Sequence, residues 1–296
     1  MTTLTSSGGS CTFGTGYPTV LATTLINTLK NETLTKDLIA GKVDEVKRLA
    51  EKQVGDGTGF LEVMIVHPQI DEEVMLPLVC KAAHDATGLP LYIDSTNINA
   101  IRRTLDIYPY KPVLSVSADS ERLEPMLNLV KESGSAVICL CMDDKGIPAT
   151  AVERMAIAER IIQRAREIGI PDDDIAIDPL VMAMGVSEPD SMLVAFDVLR
   201  AVKQKYQFST FLGIENAGYG LPYKESIDLA YLLAAIPAGM DVALIDPPLC
   251  TRLGQDGLTL IFAENFLSGR DPYAKKYLAY LRKNDLIKRR KQNDEK

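Results

Sequence analysis

Carboxylates recur in this chain where short apolar runs end. Asp94 closes LYIDST, Asp143 and Asp144 follow a run into CMDDKG, and Asp178 closes AIDPL. Glu215 and Asn216 sit in LGIENAGYGLP, and Asp246 ends LIDPP. A single acid after an apolar run is also a good cap for the next helix. Asp94 and Asp178 differ, because each ends a run apolar enough to be buried, and a buried carboxylate needs donors. Two such groups in one pocket suit three chemistries. One is a ligand with an amino-pyrimidine edge, whose N–H groups donate in pairs. The others are the acid pair of a glycosidase and an all-oxygen divalent cation site. The chain has two histidines, His67 and His84, and no tryptophan. That weighs against an imidazole-rich metal site and against a tryptophan-lined sugar cleft. Asn216 offers a donor and an acceptor without charge, and Gly218 and Gly220 allow close backbone approach. A glycine turn whose Asn bonds its own backbone has the same composition.

The elements that must carry these residues alternate. Apolar runs predict strands at 11–15, 60–66, 90–94, 112–117, 136–141, 174–178, 209–214 and 241–245. Helical periodicity predicts helices at 33–53, 68–87, 97–105, 120–131 and 149–167, the last closed by Gly169. Further helices are expected after Ser187, read as a cap with Asp190 in the first turn, and at 224–236 and 254–267. An extra helix over 272–288 follows. Eight strand–helix units with short connections predict a (β/α)8 TIM barrel over 1–270, with a C-terminal helical extension and basic tail over 271–296. Barrel chemistry is built at the C-terminal ends of the strands, where these acids fall.

Composition sets limits. A chain of 296 residues buries a core without disulfides. A formal charge of -8 argues against broad nucleic-acid binding, although Lys288 to Lys291 form a basic run that suits a solvated helix end. Cys11, Cys80, Cys139, Cys141 and Cys250 form no CxxC pair. Cys139 and Cys141 share one side of a strand and read as buried thiols. The start MTTLTSSGGS is unlike a signal peptide, and no apolar window approaches the roughly 18 residues of a membrane span. The cytoplasm is the expected compartment. No GxGxxG follows the first strand, and no GxxxxGK occurs.

The segments LYIDSTN, SERLEPML, CMDDKGIP, AIDPLV, LGIENAGYGLPYK and GMDVALIDPP occur in that order. Together they resemble the folate-using, cobalamin-dependent methyltransferases of the pterin-binding barrel superfamily, over about residues 57–247. The dihydropteroate synthases share that barrel, but their basic strand-end motifs are missing here. The resemblance implies a methyltransferase acting between the cobalt of a methylated corrinoid protein and N5 of tetrahydrofolate. Its alternatives are transfer from methyltetrahydrofolate to a corrinoid iron–sulfur protein, a dihydropteroate-synthase-like condensation, or a non-catalytic pterin-binding barrel.

By the same resemblance, Asp94 and Asp178 anchor the pterin and Asn216 hydrogen-bonds near N5. Glu62, Ser115, Ser117, Met142, Lys224 and Asp246 are further pterin-side residues, and Glu215 is a neighbouring acid or base. Tetrahydrofolate or 5-methyltetrahydrofolate is the implied substrate. No DxHxxG-like cobalamin segment occurs. The corrinoid is therefore expected on a separate protein that docks over the C-terminal barrel mouth. A homodimer without a resident metal is implied too. Several positions depart from the family pattern. Glu215 stands where serine is usual, and Leu221, Pro222, Tyr223 and Lys224 stand for LPxR. Leu114, Ser115, Val116 and Ser117 lack the usual Asn-Ser pair, and Glu62, Val63 and Met64 replace Asp-Val-Asn. These departures suggest a divergent branch, and the branches it resembles serve demethylation pathways.

Overall fold

The alternation of apolar runs and helical stripes closes on itself. In chain order the elements are β1 (Thr2–Ser6), β2 (Gly9–Phe13), β3 (Val20–Asn27), α1 (Glu32–Ile39), α2 (Asp44–Gln53), β4 (Thr58–Met64), α3 (Glu72–Thr87) and β5 (Leu91–Ile93). Then come α4 (Ile98–Ile107), β6 (Val113–Val116), α5 (Leu123–Ser133), β7 (Ala136–Leu140), α6 (Ala151–Ile168), β8 (Ile175–Asp178), α7 (Ser191–Lys205), β9 (Ser209–Gly213), α8 (Lys224–Ala238) and β10 (Val242–Leu244). The helix Gln255–Leu267, a short turn at Pro272–Ala274 and the helix Lys275–Lys283 follow. The structure is a computed structural model and describes residues 1–54, 58–188, 190–222, 224–246, 255–267, 270–284 and 286. Tyr223, Cys250 and the basic run Lys288 to Lys291 lie outside the described residues.

Strands β3 to β10 form a closed parallel barrel in which β10 pairs back onto β3, Val242 opposite Val20. The expected (β/α)8 barrel is thus the observed one. Its first strand, however, is Val20–Asn27 and not residues 11–15. Cys11 and Phe13 belong to the antiparallel hairpin β1–β2, in which Leu4 faces Cys11. Gly14 and Gly16, with φ of 131° and 89°, then turn the chain before Pro18. The hairpin plugs the N-terminal end of the barrel. Phe13 packs edge-on to Phe211 with ring centroids 5.4 Å apart, and Thr2 Oγ1 lies 2.9 Å from Ser209 Oγ at the start of β9.

Two other expectations change locally. The helix read at 33–53 breaks into α1 and α2 at Gly41, whose φ of 73° no helix contains. Ser187 does not cap α7. Its hydroxyl donates to Ala183 O at 2.8 Å, and Asp190 occupies the cap without a side-chain bond. Gly169 closes α6 in the left-handed region, as expected.

Parity along the strands sorts the side chains. Leu61, Val63, Leu91, Ile93, Leu114, Val116, Val137, Cys139, Ile175 and Ile177 pack outward beneath the helices. Ala22, Phe60, Tyr92, Val113, Ala136, Ile138, Ala176, Phe211 and Val242 fill the barrel axis. Cys139 and Cys141 lie on the outer side as buried free thiols, and burial pushes both titrations up. Below the barrel, buried Asp241 pairs with Lys203 and with Arg270 at 3.3 Å, tying the chain beyond Gln255–Leu267 to β10. Among the described residues no helix is long and apolar enough to cross a membrane.

Candidate functional site

Two residues beyond the axis-filling layer, the same parity brings polar side chains to the C-terminal mouth. Phe60 is followed by Glu62, Tyr92 by Asp94, Val113 by Ser115 and Ala176 by Asp178. Strands β4, β5, β6 and β8 thereby place three carboxylates and a hydroxyl in one layer. Ser115 Oγ donates to Asp94 Oδ1 at 3.1 Å. The Leu180 amide donates to Asp178 Oδ1 at 2.7 Å. Glu62 is 7% exposed, and its carboxylate has no hydrogen-bond partner among the described residues.

Burial governs how these acids titrate. It raises Glu62 first, and the neighbouring Asp94 raises it further, against a weaker pull from Lys30. Asp94 is also raised by burial, with the Ser115 and Tyr92 hydroxyls opposing. Asp178 is pushed up to about 7 by burial, while the Leu180 amide and Arg154 pull it down. Three carboxyls that resist ionisation in a confined mouth form an acceptor-rich site waiting for donors.

Beside this layer lies a second group. Glu215 and Asn216 occupy a short 3-10 turn, Ile214–Asn216, where strand alternation no longer applies. Glu215 Oε2 accepts from Thr24 Oγ1 at 3.0 Å and pairs with Lys30, and Oε1 accepts from the Asp246 amide at 3.2 Å. Burial opposes the charge on Glu215, but these partners more than offset it and hold the carboxyl below its ordinary range. Asn216 is exposed at the rim. A Cβ on Gly213 would come 3.0 Å from its Nδ2, so glycine there lets the amide lie against the strand end.

The remaining expected residues are distributed more widely. Ser117 donates to Asp119, which pairs with Arg122, so its hydroxyl is engaged within its own loop. Partly buried Met142 accepts from the Ala118 amide at 2.9 Å through its carbonyl. Lys224 pairs with fully buried Asp228, whose Oδ1 takes the Gly218 amide at 2.8 Å. Asp246 is buried at the end of β10, next to Glu215. Asp143 pairs with Arg160 and Asp144 accepts from the Ser120 amide, both in loop-holding roles. The structure therefore brings together Glu62, Asp94, Ser115, Asp178, Glu215 and Asp246, and leaves Ser117 and Lys224 on local partners.

Sequence reasoning passed over Tyr92, Thr24, Lys30 and Arg154. Tyr92 was readable, because it stands two residues before Asp94 and so shares its face. Thr24 and Lys30 belong to the first barrel strand and its loop, and were lost with that strand. Among the described residues no group of three or more His, Cys, Asp and Glu side chains is arranged to hold a metal ion.

Residues 27–246 match the model of the pterin binding enzyme family, a span that runs from the last residue of β3 to Asp246 and contains Glu62, Asp94, Ser115, Asp178, Glu215 and Asn216. The chain belongs to the pterin-binding enzymes. A relative from Eubacterium limosum, a methylcorrinoid:tetrahydrofolate methyltransferase, is 25% identical over 238 residues, covering 78% of this chain and 85% of that protein. The methionine synthase of Mycobacterium tuberculosis is 24% identical over 221 residues, covering 70% of this chain but 18% of that longer protein. Among solved structures, a dihydropteroate synthase of Coxiella burnetii in complex with pteroic acid superposes with a TM-score of 0.67. It is 16% identical and covers 90% of this chain and 99% of that one, so the pterin-binding barrel is common to both.

Proposed function

We propose that this pterin-binding barrel is a methyltransferase moving a methyl group between the cobalt of a corrinoid on a separate protein and N5 of tetrahydrofolate. The favoured direction forms 5-methyltetrahydrofolate in a demethylation pathway. The observation that carries the reading is the layer of Glu62, Asp94 and Asp178. Their ionisation is held back by burial, and an amino-pyrimidine edge offers the paired N–H groups that they lack. Likeness to the Eubacterium limosum methyltransferase supports the reaction class.

In this proposal Asp94 and Asp178 accept from the pterin ring, with Ser115 holding Asp94 in place. Asn216 orients N5 and stabilises charge developing there, as a neutral donor and acceptor fixed beforehand. Glu215, kept ionised by Lys30, supports positive charge on N5 from the neighbouring turn position. In the transfer the N5 lone pair forms the new N–CH3 bond, the Co–CH3 electron pair stays on cobalt, and N5 loses a proton. The corrinoid carrier docks over the mouth. Exposed Leu29, Val66, Ile147, Val186 and Tyr219, on the loops after β3, β4, β7, β8 and β9, provide an apolar rim for it. A cytoplasmic homodimer completes the proposal.

The test mixes the enzyme, tetrahydrofolate and methylated candidate corrinoid proteins, with free methylcobalamin in parallel, and follows the visible corrinoid bands. Loss of the methyl–cobalt spectrum with formation of 5-methyltetrahydrofolate is expected. Tetrahydrofolate binding without any spectral change across the carriers would show a passive pterin-binding barrel instead.

A further inference from the structure

Arg154 stands in the first turn of α6 with 2% of its surface exposed, the largest fully buried side chain among the described residues. Its position is costly in two ways. A cation at a helix N-terminus opposes the helix dipole. A buried guanidinium also needs partners, and among the described residues Arg154 has no carboxylate in an ion pair. Its partners are backbone carbonyls. Nε donates to Pro148 O at 2.9 Å, and Nη1 donates to Pro179 O and to Leu180 O, each at 2.9 Å. Pro148 belongs to the loop after β7, and Pro179 and Leu180 to the loop after β8.

The base of this clamp is rigid. Thr150 caps α6, accepting from the Glu153 amide at 3.3 Å and donating to Glu153 Oε2 at 2.7 Å. The far end of the clamp is strained. Leu180 has φ of 72°, a conformation costly for a residue with a Cβ. The carbonyl of that residue takes the Arg154 bond, and its amide holds Asp178 Oδ1.

We propose that Arg154 is a positioning residue: it pins the Asp178–Leu180 turn and the Pro148 loop to the head of α6, and so keeps the Asp178 carboxylate aimed into the barrel mouth. Its role in ligand binding rests on the pterin reading of Asp178; its hold on Asp178 does not. The ionisable groups that face Asp178 are Arg154 from α6, Tyr92 from β5, Asp94 just after it, Cys141 after β7 and Tyr231 from α8. Arg154 is the one cation of that set, so its removal acts on the titration of Asp178 as well as on its placement.

The test uses the full chain with Arg154→Met and Arg154→Lys. In the ligand-free enzyme the Asp178 side-chain carboxyl is titrated by carbon-13 NMR, its signal assigned by its loss in Asp178→Asn. Tetrahydrofolate affinity is measured by calorimetry at pH 7. Arg154→Met is expected to move the Asp178 midpoint upward by about one unit and to weaken binding by about tenfold. Arg154→Lys keeps the charge but not the fork that spans two loops. It is expected to leave the midpoint nearer to that of the unmodified enzyme and still to weaken binding. A variant that loses thermal stability but keeps both the Asp178 midpoint and the affinity overturns the proposal. Should Arg154→Met fail to fold, Arg154→Lys with unchanged midpoint and affinity does the same. If the unmodified enzyme binds no tetrahydrofolate, the pterin reading fails. The NMR titration then still decides whether Arg154 holds Asp178, by whether the midpoint moves in Arg154→Met or the signal shifts in Arg154→Lys.

Discussion

If Asp178 accepts N–H groups from a pterin, it must bind the ligand ionised, and folate affinity must follow its titration. With its midpoint raised to about 7, Asp178 is about 9% ionised at pH 6 and about 91% ionised at pH 8. Binding should therefore tighten about tenfold between these values, and at pH 7 this carboxyl should release about half a proton per ligand bound. Calorimetry in two buffers of different ionisation enthalpy reads affinity and proton release in one experiment. Asp178→Asn keeps the acceptor for the Leu180 amide but removes the charge. A hydrogen bond to a charged group contributes about 1.5–3 kcal/mol, so the variant should bind about tenfold to a hundredfold more weakly at pH 8. Its proton release at pH 7 should fall by about half a proton, leaving the share of Glu62 and Asp94. Folate binding that stays flat between pH 6 and 8 would refute the reasoning. So would an Asp178→Asn variant with undiminished proton release.

Three other outcomes follow from the same geometry. Asn216→Ala should lower methyl transfer about a hundredfold while tetrahydrofolate binding changes little, since the exposed amide acts on N5 and not on the ring anchors; equal losses in single-turnover rate and affinity would contradict this. Glu62 is raised in the folded state to about 8, so ligand-free stability is fullest below the ordinary carboxylate range and is lost as pH rises through about 8. Glu62→Gln should remove that loss, and urea unfolding should show it gaining about 1–3 kcal/mol over the parent at pH 9 but little at pH 4. Gly218→Ala would place a Cβ 2.7 Å from Lys224 O and 2.9 Å from Asp228 Oδ1. It should displace the turn bearing Asn216, with a lower melting temperature and a slower transfer rate, whereas Gly220→Asn, at φ of 76°, should be tolerated in both measurements.

How much of this was legible before folding is clearest at single residues. The pairing of Asp94 with an upstream apolar run, and of Asp178 with another, placed both at strand ends without coordinates. The alternation Cys139–Cys141 correctly put both thiols on one side. CTFGT and VLATTLIN are both Thr-containing apolar runs, one on each side of the turn at Gly16 to Pro18, so composition alone favours neither as the first barrel strand. Only pairing partners distinguish a hairpin strand from a barrel strand, and those partners lie far away, at Asp241 to Leu244 and at Thr58 to Met64.

Parity and strand order are local properties of a chain, because side chains alternate along any strand. The sequence by itself therefore determined the barrel's alternation and the acids at its strand ends. Which parity faces the axis, and which acids then see one another, depended on closure of the ring. Closure set buried Glu62 and Asp178 and partly buried Asp94 in one layer, where desolvation raises all three. It also brought Lys30 to Glu215, 185 residues away, and Arg154 to Leu180, 26 residues away. Electrostatic shifts depend on burial and on distances through space, and neither is a property of spacing along the chain.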